Sequence, residues 1–310
     1  MSKKILLMLL LNTLLINCNV DFVIYSYDRP MQLYALLESM KKNIIGGLGE
    51  VHIIYRSSNN RYSTAYDNVI KSFNDFKFHK QGKRPQADFK PLVIKSAFES
   101  PNEYVSFVVD DIILKDKCNL NTCIKYLNCT NAYCFLLRLG KNINRCYTMK
   151  IDTPMPSSFK NIGEDIFIWT FKDGLGDWNF PSNNDMTIYK KSDIRKSLEE
   201  IEQIYFTNTF YEPYWCTKTD RNLQGLCFEF SKIVNLCINV VILEQPSYHQ
   251  FSTEWNDKFF SLYSPDSLLN KFLNGFKFNI DEIYKINNPS PHIEYNLEFV
   301  KQEILYDLKN

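Results

Sequence analysis

Between residues 20 and 115 short apolar runs alternate with segments of helical periodicity, and this alternation limits the possible folds more than any other property of the chain. Residues Asp21 to Asp28 form an apolar and aromatic run closed by Arg29 and Pro30, which reads as a buried strand ending in a turn. Leu33, Leu36, Leu37 and Met40 then recur at helical spacing over Met31 to Lys42, and Gly46 and Gly47 end that element. The pattern repeats with a strand over Val51 to Tyr55, a polar loop over Arg56 to Arg61 and a helix over Tyr62 to Phe76. A further helix over Phe89 to Glu99 precedes a strand over Tyr104 to Val109. Alternating strands and helices predict an α/β fold with a mainly parallel central sheet and helices on both faces. In such sheets ligands bind beyond the carboxyl ends of the strands. That rule puts Ser26, Asp28, Arg29, Arg56, Ser57, Asp110 and Asp111 on one rim.

After residue 115 the periodicity weakens. Tyr133 to Leu139 and Val240 to Leu243 read as strands, and Lys172 to Asp185 as a loop containing Gly, Trp and Pro. No repeat or low-complexity linker divides residues 21–310, so one domain is expected, with residues 21–115 as one half and 116–310 as the other. Lys3 and Lys4 followed by the apolar stretch Ile5 to Ile16 give residues 1–20 the form of a signal peptide or signal anchor. The stretch is short for a membrane span, and the expectation is an exported or membrane-associated protein, or one held by a cytoplasm-facing anchor. Apart from Cys18 there remain Cys118, Cys123, Cys129, Cys134, Cys146, Cys216, Cys227 and Cys237, compatible either with disulfides or with isolated buried thiols. A formal charge of +1 provides no field that would gather nucleic acid, which is not expected as a partner.

The chemistry concentrates where the apolar strand 105–109 meets Asp110 and Asp111. Adjacent carboxylates at a strand end point in different directions, so one of them can ligate a cation while the other holds a hydroxyl or a water. A hard divalent cation such as Mn²⁺ or Mg²⁺ prefers oxygen ligands of this kind. Phosphate-cradling Gly-rich loops, the nucleophile elbow of serine hydrolases, the zinc-binding His-Glu-x-x-His helix and the dinucleotide fingerprint are all missing from the sequence.

Residues 26–33, the strand ending in Asp110 and Asp111, and the alternation between them resemble the nucleotide-sugar half of GT-A-type glycosyltransferases, including exostosin-like and family-2-like enzymes. The resemblance covers roughly residues 20 to 115 and implies a GT-A-like fold and a nucleotide-sugar donor. It further implies nucleotide contacts from Ser26, Asp28, Arg29 and Arg56, with Asp110 beside them, and a metal contact from Asp111. Ile112 stands where the common Asp-x-Asp motif places its last carboxylate. The function expected is metal-assisted transfer of a sugar to a glycan, lipid or protein acceptor that the sequence does not identify. The alternative is a secreted, catalytically inactive relative that only binds carbohydrate or another partner.

An inverting transfer needs a general base for the acceptor hydroxyl. Asp185, at the end of a loop whose Trp178, Phe180 and Pro181 are suited to framing a sugar ring, is the first candidate. Glu164 and Asp165 are the rival, because they resemble the Glu-Asp base motif of inverting members. His52 lies in an apolar strand and is expected to be structural; His292 is a candidate late metal ligand, as a C-terminal His is in some GT-A enzymes.

Overall fold

The computed structural model describes residues 19–204, 206, 211–238, 241–242, 245–246 and 262–302. The expected N-terminal signal or anchor therefore lies outside the described residues, apart from 19 and 20. Of the strand expected over Val240 to Leu243, only Val241–Ile242 is described, paired with Gln245–Pro246. Among the described residues no helix is long and apolar enough to cross a membrane.

The strands are β1 (Val20–Tyr27), β2 (Leu48–Arg56), β3 (Lys77–Lys80), β4 (Tyr104–Val109), β5 (Ile112–Leu114) and β6 (Cys134–Leu136). There follow β7 (Arg145–Cys146), β8 (Ile151–Asp152), β9 (Lys160–Gly163), β10 (Ile166–Thr170), β11 (Asp185–Lys190), β12 (Gln224–Phe228) and β13 (Ile233–Asn235). The helices are α1 (Pro30–Asn43), α2 (Asn60–Ser72), α3 (Pro85–Phe98), α4 (Leu120–Cys129), α5 (Lys191–Glu200), α6 (Tyr211–Lys218) and α7 (Pro265–Leu273). Pro30 opens α1, where a missing N–H costs nothing, and Lys41 and Lys42 occupy its last turn, where the helix dipole favours cations. Asn59 caps α2 by accepting from the amides of Arg61 at 2.9 Å and Tyr62 at 3.2 Å. The helix expected over 62–76 therefore starts and ends earlier.

Among the described residues a nine-stranded sheet runs in the order β3-β2-β1-β4-β11-β6-β12-β10-β9. Its first block, β3-β2-β1-β4, is parallel throughout, as the alternating pattern predicts. Antiparallel pairing enters with β11, inserted between β4 and β6, while β12 returns parallel to β6. Successive residues of β1 serve opposite faces: Phe22 and Ile24 join one core, Val23 and Tyr25 the other. Leu33, Leu36 and Leu37 of α1, Ala65 and Val69 of α2, and Leu120 and Ile124 of α4 complete the first core. Phe89 and Val93 of α3, Ile194 and Leu198 of α5, and Tyr211 and Trp215 of α6 complete the second. Helices thus cover both faces of an α/β sheet.

The eight cysteines from Cys118 to Cys237 are free, and all but Cys129 are buried, which decides between disulfides and isolated thiols in favour of thiols. The loop of residues 172–184 corrects another expectation. Trp178 is fully buried, its ring edge-on to Trp169 at 5.0 Å and to Phe159 at 5.3 Å, so it belongs to the core and offers no open face to a sugar.

Candidate active site

Strand polarity assembles the site. The parallel strands β1, β2 and β4 end on the same rim, with Tyr27 level with Arg56 and Tyr25 level with Val109. Because β11 runs antiparallel to β4, its first residue, Asp185, arrives at that rim opposite Val108. The chain leaving β6 brings Arg138 to the same end, since β6 is antiparallel to β11.

At the end of β1, Asp28 adopts φ 52°, a left-handed conformation that an aspartate tolerates better than most residues. Its carboxylate accepts from the amide of Ser58 at 2.8 Å, and burial raises its pKa in spite of that bond and the nearby Arg56. Ser26 hydrogen-bonds the hydroxyl of Tyr66 at 2.7 Å, and that hydroxyl also accepts from the amide of Arg29 at 3.2 Å. Arg56 lies over the ring of Tyr27 at 4.7 Å. These residues of the expected nucleotide side thus form one connected edge.

The Arg29 side chain is buried and turned toward the acidic strand end. It pairs with Asp110 and lies 3.4 Å from Asp111, so one guanidinium serves both carboxylates. Asp111 also accepts from Asn235 Nδ2 at 3.2 Å, and the amide of Leu236 donates to its carbonyl at 3.0 Å. The Oδ2 of Asp110 is buried without a hydrogen-bond partner among the described residues.

A second buried guanidinium stands beside the first cluster. Arg138 pairs with Asp177, takes the Phe180 carbonyl at 3.2 Å and lies 3.9 Å from Asp185. Asp185 is also 3.5 Å from His292 Nε2. The backbone of Asn235 on β13 bonds the chain on either side of His292, donating to the Pro291 carbonyl at 2.8 Å and accepting from the Ile293 amide at 2.9 Å, which ties this late segment to Asp111. Asn184, next to Asp185, donates from its amide to Glu212 at 3.1 Å and from Nδ2 to the same carboxylate at 3.3 Å. Burial, reinforced by the neighbouring Asp185, pushes the Glu212 carboxyl up to about 8.

The structure therefore gathers Asp110, Asp111, Asp185 and His292 around shared partners at one rim. Glu164 and Asp165 are not among them: with φ values of 50° and 59° they form the exposed turn of the β9–β10 hairpin at the sheet edge, and Glu164 pairs with Lys125 at 2.7 Å. Their acidity serves a turn and a surface ion pair. His52 is buried and bonded to Glu50 and His79, each at 2.9 Å. Nothing local in the sequence marks Asp177, Glu212 or Asn235, and Arg138 is marked only as an arginine closing the apolar run 133–137.

Among the described residues no group of three or more His, Cys, Asp or Glu side chains converges to hold a metal. A cation that keeps waters and takes further ligands from a substrate diphosphate needs only one or two carboxylates. Asp111 and the partnerless Asp110 oxygen are suited to that smaller share.

No protein-family model matches the chain. Over 202 residues it is 29% identical to the bifunctional glycosyltransferase pgtA of Dictyostelium discoideum, a stretch that covers 60% of this chain. The chain spans about a quarter of that relative, 26% of its length. Among solved structures it resembles S. aureus TarS with 13% identity, covering 68% of this chain and 35% of that one at a TM-score of 0.44. It also resembles the mannosyltransferase PcManGT from Pyrobaculum calidifontis in complex with GDP-Man and Mn²⁺, with 10% identity, 68% and 55% coverage and a TM-score of 0.41.

Proposed function

We propose that this chain is a GT-A-like glycosyltransferase that moves a sugar from a nucleoside-diphosphate donor to an acceptor. The observation that carries the reading is the acidic end of β4, where Asp110 and Asp111 meet one buried arginine beyond the carboxyl ends of parallel strands, the position where open α/β sheets bind ligands. The sequence relationship to a glycosyltransferase favours transfer over a catalytically inactive binding role. In this reading Ser26, Asp28 and Arg56 border the nucleoside, and Arg29 holds the acidic pair in place. Asp111 would hold a divalent cation, Mn²⁺ or Mg²⁺, for the donor diphosphate. The cation, when bound, neutralises charge on the departing nucleotide. Asp185, with His292 at 3.5 Å, faces the acceptor side and takes the proton of the attacking hydroxyl. The N-terminal apolar segment would attach the protein to a membrane or direct its export.

The test is thermal stability with UDP-sugars and GDP-sugars, with and without Mn²⁺. A donor site raises the midpoint in a metal-dependent way, and Asp111→Ala removes the metal-dependent part. No shift with any donor in either condition refutes the reading.

A further inference from the structure

The feature that the proposed transfer leaves unexplained is Glu212, a half-buried residue of α6 whose two carboxyl oxygens both turn onto the residue before Asp185. A carboxyl drawn only partly out of water could be satisfied by solvent on its open side. Glu212 instead receives both the amide and Nδ2 of Asn184, at 3.1 and 3.3 Å. Its neighbour Tyr211 donates to Oδ1 of Asn184 and is itself 2.9 Å from the hydroxyl of Tyr25 on β1. The carbonyl of Asn184 accepts from Val109 at 3.2 Å, the residue directly before Asp110. Every polar group of Asn184 is thereby held, by α6 on one side and by the end of β4 on the other.

The next residue is Asp185, and the backbone there is not regular. Asp185 faces Val108 while Thr187 faces Phe107, so Met186, at φ 55°, is the extra residue of a bulge. A bulge re-aims the side chain beside it, and its direction is only as fixed as the residues that anchor it. Asn183 holds the Asp185 amide at 3.0 Å and the Thr187 hydroxyl at 2.7 Å; Asn184 is the remaining anchor.

Resting on the transfer reading above, we propose that Tyr211 and Glu212 are positioning residues: through Asn184 they aim Asp185 toward Arg138 and His292 and fix its spacing from the Asp110–Asp111 strand end. Glu212→Gln keeps the volume but replaces one oxygen with an NH2 group, which cannot accept from Asn184. Tyr211→Phe removes the other grip without placing a polar group in the core. Ser197→Ala is the control, because Ser197 anchors α6 through Trp215 Nε1 at 3.2 Å and does not touch Asn184.

With the full chain and a UDP- or GDP-sugar, E212Q and Y211F lower kcat about 10- to 100-fold and leave the donor KM within about threefold, the pattern of a misplaced reacting group. S197A lowers the melting temperature without that split. The second readout is the crystal structure of each variant, which requires no turnover. In the variants Asp185 Oδ2 leaves His292 Nε2, now 3.5 Å away, for a separation beyond ion-pair reach, roughly 4 Å. If Asp185 keeps its contact in both variants, the inference is overturned, whatever the kinetics. Should E212Q fail to fold, Y211F alone decides. Wild-type protein inert toward every donor defeats the transfer reading, while the crystallographic comparison still decides the positioning.

Discussion

Replacing Arg29 by Met tests the acidic rim as a stability problem, independently of any substrate. Arg29, Asp110 and Asp111 are 5%, 1% and 5% exposed, so water cannot compensate the carboxylates when the guanidinium goes. The substitution removes the bond to Asp110 and the 3.4 Å contact with Asp111, together with a 3.4 Å bond to the Ile238 carbonyl. Asp110 already has one oxygen without a hydrogen-bond partner among the described residues, and it would then lose the arginine from the other. Stranding a buried charge by removing its partner costs about 3–5 kcal/mol. With an unfolding entropy of about 2.1 cal/mol/K per residue, a chain of 310 residues loses roughly 5–8 °C for that change. The double variant Arg29→Met/Asp110→Asn strands less charge and recovers at least about 2 kcal/mol of the loss, because a neutral replacement of both partners is far milder than removal of one. Urea unfolding monitored by tryptophan fluorescence measures all four corners of the cycle. An R29M protein within about 1 kcal/mol of wild type, or a double variant no more stable than R29M, refutes the account of one guanidinium holding two buried carboxylates.

Three further outcomes are expected. Because the Glu212 carboxyl rises from 4.5 to about 8 on burial, the folded state holds a proton that the unfolded chain releases in that interval. Stability therefore falls as the pH rises from about 4.5 to about 8, by up to about 1.4 kcal/mol per unit from this group, and Glu212→Gln removes that component from urea midpoints compared across the interval. Gly225→Ala costs about 1–3 kcal/mol in the same assay, since a Cβ there would lie 2.8 Å from the Phe171 ring and 2.9 Å from the Trp169 ring, both buried. Asn59→Ala costs about 1 kcal/mol through loss of the cap on α2, read by thermal unfolding; no change would mean that water replaces the cap.

The sequence by itself determined the parallel block. Val20 to Tyr27, Val51 to Tyr55 and Tyr104 to Val109 are nearly continuous apolar runs that need cover on both faces, and the periodicity of residues 31–42 marks a helix that supplies it. Both signals are local, so they survive without knowledge of the rest of the chain, and they were enough to put Ser26, Asp28, Arg56 and Asp110 on one rim. Asp185 was legible as an acidic residue but not as a strand residue, because the pairing of β11 between β4 and β6 joins segments far apart in sequence and leaves no periodic trace.

Tertiary structure alone decided where the charges point. Arg29 turns toward Asp110 and Asp111 because the buried carboxylates require a cation, a demand that appears only once β1 and β4 are neighbours. Trp178 reads as a loop residue until Trp169 and Phe159 supply the apolar surface that buries it. Glu164 and Asp165 look like a catalytic pair until β9 and β10 close a hairpin around them. Arg138, Asp177 and Glu212 come from different elements, and no local pattern announces a contact that exists only through long-range strand order. The acidic strand end was written in the sequence; the buried arginines and Glu212 around it were fixed by folding, because burying charge forces partners to be found in space rather than along the chain.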